Sequence, residues 1–234
     1  MDLKEEAFLG VSADRHWYYV SKALMIEAHI ADRARSILDV GAGSGWFSRR
    51  LLKRDLADRA ICVDPGYQED RDELVEGRSL LYRRAWEQND ADLVLLMDVL
   101  EHVDDDVALL SGYVKTARPG TRFLITVPAF EFLWSAHDEY LGHRRRYSRS
   151  QVRELVSSSG LSEVSSHYYF ATILPPVAAV RLARRFVRPD RSDMKPLPGW
   201  MNAALALLLS FERTWMRANR VAGLTVVCLC EKRL

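Results

Sequence analysis

The chain has too little cysteine for a disulfide framework. Only Cys62, Cys228 and Cys230 occur, an odd number without a CxxC pair, which also argues against a zinc knuckle and suits a reducing cytosol. It has almost no net charge: 33 Lys and Arg stand against 32 Asp and Glu, formally +1. The total therefore carries no electrostatic footprint for nucleic acid, and none is expected as a partner. Long apolar runs are missing too. The longest, around Tyr168–Val180 and Trp200–Leu209, fall short of the ~20 residues of a spanning helix. Residues Met1 to Gly10 include Lys4, Glu5 and Glu6 without an apolar stretch, so no secretory leader is expected and a cytoplasmic location is. No internal repeat or low-complexity linker is present. What remains is ordinary for a globular protein: 234 residues, 48% apolar and 28% charged, enough for one domain with a substantial core.

Hydrophobic patterning alternates between two periods. Ala13 to Arg33 reads as a helix, with Trp17, Val20, Leu24 and Ile30 at helical spacing. Ser36–Val40 reads as a buried strand, Trp46–Leu56 as a helix and Ala60–Asp64 as a second strand. This strand, glycine turn, helix and strand form a βαβ unit, which favours a parallel sheet with right-handed crossovers. Ser79–Arg84, Ala91–Asp98 and Thr121–Val127 continue the strands. Asp104–Ala117 is helical, and Ser148–Gln151 has the form of a capping box for a helix ending at Gly160. Leu161–Phe170 and Leu224–Cys230 read as two late strands.

The most informative segment is Asp39-Val40-Gly41-Ala42-Gly43-Ser44-Gly45, between a strand and a helix, where doubly wound sheets bind ligands. Glycines let the backbone approach a ligand closely, and the helix start offers unpaired N–H groups. Asp64 ends the next strand, where a carboxylate can accept both hydroxyls of a ribose. A nicotinamide site asks for G-x-G-x-x-G/A, but from Gly41 the third position is Trp46. Asp39 beside the turn would repel a pyrophosphate and suits a ligand carrying an ammonium and a sulfonium.

With Asp98-Val99-Leu100-Glu101-His102 added, the chain resembles the class I S-adenosylmethionine-dependent methyltransferases over roughly residues 37–160. The resemblance implies an α/β Rossmann-like fold: a seven-stranded, mainly parallel sheet with an antiparallel last strand, and a helical insertion between the last two strands. It implies one domain, with an N-terminal helical lid (1–34), a cofactor-binding core (35–170), a basic and apolar helical insertion (171–222) and a final strand (223–232). The cofactor would be S-adenosyl-L-methionine. Asp39 and the Gly41, Ala42, Gly43 and Gly45 backbone would line its methionine and ribose part. Asp64 would hold the ribose, Pro65, Ala85 and Trp86 would border the adenine, and Asp98 and Val99 the methionine end. The adenine amino contact would fall to Glu87 or to backbone.

Methyl transfer to a hydroxyl gains from a general base, most often histidine. His102, His137 and His143 are the candidates, His102 and His137 foremost, with Glu101 beside them, and oxygen is the expected receiving atom. Asp98, Glu101 and His102 have D-x-x-E-H spacing, similar to the E-x-x-E-H of ubiquinone-type and small-RNA methyltransferases, so these three are also the candidate ligands of a divalent cation, with His137 or His143 able to complete the set. Arg144, Arg145, Arg146 and Arg149 form a basic run that could clamp an acidic group; from this region Arg145 is singled out, and Trp17, His143, Arg145 and Tyr147 are the candidate acceptor contacts.

Ala171 to Ala222 holds nine basic residues against three acidic ones, a net +6. Val177–Arg188 reads as a basic amphipathic helix, and Trp200–Leu209 as an apolar stretch followed by Phe211, Trp215 and Met216 among arginines. Such a segment suits an anionic membrane surface, which would make the protein peripheral on the cytoplasmic face and its acceptor small or amphiphilic. The bland alternative is a cap packed on the domain or on a second subunit of a homodimer. Two other functions stay open at this point: a non-catalytic membrane-associated protein that keeps the fold, and an NAD-dependent oxidoreductase.

Overall fold

The computed structural model describes residues 14–30, 32–88, 90–183 and 197–233. The opening segment Met1–Gly10 and the arginine-rich end of the Val177–Arg188 helix, from Arg184 on, lie outside the described residues. In chain order the elements are α1 (Trp17–His29), β1 (Ala34–Val40), α2 (Trp46–Lys53), β2 (Ala57–Val63), β3 (Arg71–Val75), β4 (Arg78–Arg83), β5 (Leu93–Met97), α3 (Asp106–Thr116), β6 (Arg122–Pro128), α4 (Ala136–Leu141), α5 (Arg149–Ser158), β7 (Ser162–Tyr169), α6 (Leu174–Ala183), α7 (Gly199–Glu212) and β8 (Thr225–Glu231).

The strands form one sheet in the order β3-β4-β2-β1-β5-β6-β8-β7. β4, β2, β1, β5 and β6 pair in parallel, and β8 runs antiparallel to both β6 and β7. This is the expected α/β architecture with one addition. An eighth strand, β3, pairs antiparallel with β4 through a Glu76–Gly77 turn in which both residues have positive φ, the geometry of a two-residue hairpin. Its charged sequence and exposed Leu74 mark an edge strand without the apolar run that identifies the central ones.

Successive strand residues supply opposite faces. Ile37, Leu93, Leu95 and Met97 pack with Met25 and Ile26 of α1, Phe47 and Leu51 of α2 and Leu209 of α7. Leu38, Val40, Val94 and Leu96 pack with Leu110 and Val114 of α3 and Val152 and Val156 of α5. Both faces are covered, so the central strands read as continuous apolar runs. Chain order reverses between β1 and β5, which opens the ligand-binding crevice at their C-terminal ends.

Two buried histidines fasten α1 to the sheet. His29 Nε2 lies 3.0 Å from His167 Nε2 on β7, with the rings stacked. His29 Nδ1 is 2.8 Å from the Met25 carbonyl and His167 Nδ1 is 3.2 Å from that of Tyr168. One Nε2 proton satisfies the contact, whereas two would face each other. Burial, then the facing His29, push the His167 imidazole down to about 4, and burial lowers His29 as well. The unfolded chain therefore binds more protons between the ordinary histidine value near 6.5 and about 4. The pair's stabilisation is complete above that window and is lost as the pH falls through it. From His167 alone the loss is roughly 3 kcal/mol. Denaturant titrations between pH 7 and 4 are expected to show this slope, and His167→Gln is expected to flatten it; an unchanged slope in that variant would refute the assignment.

Candidate functional site

The glycine turn is built as the β1–α2 junction requires. Gly41, Gly43 and Gly45 all have positive φ, the region that favours glycine. A Cβ on Gly45 would meet the Tyr82 ring at 2.8 Å, and one on Gly41 would meet the Val99 side chain at 2.7 Å. The turn is tied to the end of β2 by the Gly41 N–H, which donates to the Val63 carbonyl (2.8 Å). Asp64 accepts from Gly43 N–H (2.9 Å) and Gly66 N–H (2.8 Å). It thus joins the two loops while its remaining lone pairs are available to a ligand.

Asp39 sits lower. It is buried beneath the turn and accepts the Ser48 hydroxyl at 2.7 Å. Burial pushes its carboxyl up to about 6, against that hydrogen bond. Its side chain joins β1 to the first turn of α2 and does not line the cavity.

The cavity over these strand ends has a volume of about 900 Å³. Its wall at the glycine turn includes Gly41, Asp64, Pro65, Asp98 and Val99, and α1 closes it with Trp17, Tyr18, Tyr19 and Lys22. Ala85 and Trp86 lie off this lining. Ala85 is exposed, and Trp86 packs against the core layer beneath α3 and α5. The large aromatic side chains that do reach the cavity are Trp17, Tyr18 and Tyr19 of α1 and Phe47 of α2.

Lys22 escaped the sequence reading. A lysine on an apolar helix face looks like a surface residue, yet here it is buried and ion-paired with Asp98. Asp98 has φ 56° and also accepts from Tyr18 (3.2 Å) and Thr126 (2.9 Å). Burial opposes its charge, but the Lys22 ammonium prevails and holds the carboxyl down at about 2.

Beyond Asp98 the cavity continues past Glu101, His102, His137, His143, Arg146 and Arg181. Asp138 organises this end. It is fully buried and accepts from His143 Nδ1 (2.9 Å), Arg146 Nε (2.9 Å), Ser135 N–H (2.9 Å) and the Ser135 hydroxyl (3.2 Å). The His143 imidazole and the Arg146 guanidinium hold its carboxyl far below the carboxylate range despite burial. The His143 Nδ1 proton is thereby placed on Asp138, leaving Nε2 for the cavity. Glu101 is buried with neither carboxylate oxygen hydrogen-bonded to the protein. Burial and then the Asp98 charge push its carboxyl well up.

The expected cation ligands regroup accordingly. Asp98 belongs to Lys22, and among the described residues the cluster able to hold a metal is Glu101, His102 and His143, with ligand atoms all within 4.8 Å of one another. Two acceptor contacts expected from the sequence lie elsewhere. The Tyr147 hydroxyl donates to Asp106 (2.7 Å) inside the core. Arg145 turns to the backbone carbonyl of Asp104 (2.7 Å) and to Asp106. A run of three arginines does not reveal which one is inside; it is Arg146, because Asp138 meets it there. Trp17 and His143 do line the cavity.

The insertion is partly a cap. Glu212 at the end of α7 is buried and accepts the Ala171 and Thr172 N–H groups (2.7 and 2.9 Å), and Asn202 accepts the Trp17 N–H (3.2 Å). Pro176, Val177, Val180, Leu197 and Met201 give the histidine end of the cavity an apolar wall. Among the described residues no helix is long and apolar enough to cross a membrane.

Comparison with known proteins agrees with the fold. The cyclase SpnF is 16% identical, with 92% of this chain and 80% of that one covered and a TM-score of 0.57. Phosphoethanolamine N-methyltransferase 2 of Haemonchus contortus, in complex with S-adenosyl-L-methionine, is 14% identical, with 91% and 52% covered and a TM-score of 0.56. A SAM-dependent methyltransferase from Archaeoglobus fulgidus is 14% identical, with 98% of both chains covered and a TM-score of 0.53. At these identities the likeness is one of fold, and a cyclase shares it. No curated protein matches the sequence. The family model described as "Methyltransferase domain" matches residues 14–166, more than half of the chain, and the chain belongs to that family.

Proposed function

We propose that the protein transfers a methyl group from S-adenosyl-L-methionine to a hydroxyl oxygen of a small or lipid-like acceptor. The observation that carries this is one continuous cavity joining the glycine turn and Asp64 to the Glu101, His102, His137 and His143 cluster. The residues present fit the cofactor. A close-approach turn, a carboxylate with spare lone pairs and the Lys22–Asp98 pair lie along one wall, and among the cavity residues no phosphate cradle appears. Gly41 and Asp64 would hold the ribose, Pro65 would border the adenine, and Asp98, Val99 and Lys22 would border the amino-acid end. When bound, the cofactor supplies an electrophilic methyl on a sulfonium sulfur that departs as a neutral thioether.

The chain's own part is to position the acceptor and take its proton. His143, oriented by Asp138, is the best-placed base, with His102 and His137 beside it. The apolar wall of α6 and α7 suits an amphiphile whose polar end meets the histidines, Arg146 and Arg181. A second reading rests on the orphaned Glu101 carboxylate. With His102 and His143 it fits a divalent cation, and the Asp138–His143 hydrogen bond is the outer-shell contact such a ligand wants. The cation would lower the pKa of an acceptor hydroxyl.

The test is calorimetric titration with S-adenosylhomocysteine, with NADH as control, followed by turnover on hydroxylated amphiphiles. Micromolar binding of the homocysteine derivative alone is expected, and binding of NADH alone would overturn the reading. His143→Gln is expected to lower kcat by about 10²–10⁴-fold with S-adenosylhomocysteine affinity unchanged. Exhaustive chelation separates the two variants of the mechanism: activity lost and restored by added cation favours the metal, and unchanged activity favours the histidine alone.

A further inference from the structure

We propose that the outer face of α7, with the arginines that follow it, docks on an anionic lipid bilayer. Trp200, Leu207 and Phe211 are 71%, 75% and 69% exposed. Together with Ala203, Ala204 and Leu208, which are also exposed, they recur at helical spacing along one side of α7. The helix is fixed in this orientation from its other side, where Leu209 is buried in the core and the Glu212 carboxylate is consumed by the Ala171 and Thr172 N–H groups. Large apolar groups are therefore held in solvent by a well-anchored element.

The surroundings of the stripe identify its occupant. Arg213, Arg217 and Arg220 follow it with Trp215 and the exposed Val221, and the one acidic residue from 197 to 222 is the buried Glu212. The stripe is thus apolar, Arg217 and Arg220 are exposed just beyond it in the chain, and within residues 197–222 no exposed carboxylate offsets them; an anionic surface complements this charge. A second copy docked through the same face would bring more arginine and no carboxylate. Anionic headgroups supply the charge, acyl chains accept Leu207 and Phe211, and tryptophans suit the boundary between them. At 14 residues α7 is about 20 Å long, a length for lying in the interface and not for crossing it. The same helix lines the cavity through Met201, and Val180 of α6 lines it while remaining 47% exposed. The docking face and the apolar wall of the acceptor end therefore adjoin.

The experiment is co-sedimentation of the full chain with vesicles of phosphatidylcholine alone and of phosphatidylcholine with phosphatidylglycerol, at low and high salt. Binding is expected to be at least about tenfold tighter to the anionic vesicles and to weaken in salt. Leu207→Glu combined with Phe211→Glu is expected to weaken it at least about tenfold again, with the thermal midpoint and S-adenosylhomocysteine affinity unchanged. Should that variant melt early, Trp200→Ser, at the other end of the helix from the buried Leu209, gives the same readout. Absence of vesicle binding, or equal binding by these variants, overturns the proposal. So does a concentration-dependent dimer that the substitutions abolish without any vesicle binding, which would assign the face to a second copy. Vesicle binding needs neither cofactor nor acceptor, so the result stands apart from the methyl-transfer reading.

Discussion

Asp64→Ala is expected to weaken S-adenosylhomocysteine binding by about 100-fold or more. A carboxylate accepting two ribose hydroxyls makes charge-assisted hydrogen bonds worth roughly 1.5–3 kcal/mol each, and every 1.4 kcal/mol is about tenfold in affinity. The substitution also frees the Gly43 and Gly66 N–H groups that Asp64 holds at 2.9 and 2.8 Å, so the glycine turn loses one of its ties to the β2 loop and keeps only the backbone bonds to Val63. Both effects act on binding more than on folding, because Asp64 is only half-buried. Calorimetry and a thermal melt separate them: affinity should collapse while the melting midpoint moves little. Asp64→Asn, which keeps the shape but offers one acceptor oxygen, should fall between. Wild-type affinity in Asp64→Ala would remove Asp64 from the cofactor site.

The second large effect is on stability. Asp138→Asn is expected to destabilise the fold by about 3–5 kcal/mol, the range for stripping one partner from a buried ion pair. For a chain of this size that is roughly 10 °C in Tm. Arg146 is 5% exposed and would keep its charge with no carboxylate to meet it. His143 would lose the acceptor that fixes its tautomer. Sign follows from the depressed carboxyl: its contribution is complete above the ordinary aspartate value and is lost only as the pH falls below it, so the wild type and variant should converge in acid. A double change, Asp138→Asn with Arg146→Met, should recover much of the loss, since removing both charges leaves no unpaired ion. A drop of less than about 1 kcal/mol in the single variant would mean that water reaches the pair.

Local pattern and tertiary context contributed differently to the fold. The strands carrying Leu38, Val94 and Phe123 are legible because burial on both faces demands uninterrupted apolar residues. β3 is not, since an edge strand with Arg71, Asp72 and Glu73 looks like a loop; the Glu76–Gly77 hairpin was its one local signal. In the site, the glycines and Asp64 are legible because a strand–turn–helix junction fixes their surroundings within a few residues. Lys22, Asp138 and Arg146 are not, because their partners lie 76 residues away for Lys22 and are selected among similar neighbours for Arg146.

The amino-acid sequence by itself determined the doubly wound α/β fold, the position of the glycine turn and the family. Those depend on periodicity and on short-range backbone geometry, which neighbouring residues settle among themselves. Tertiary structure alone decided that Asp98 is neutralised by Lys22, that Glu101 gathers His102 and His143, that Arg146 and not Arg145 faces the cavity, and that α7 turns Leu207 and Phe211 outward. Each of these follows from which partner, near or far in the chain, meets a side chain in the folded interior, and that choice exists only once the sheet has brought the loops and helices together.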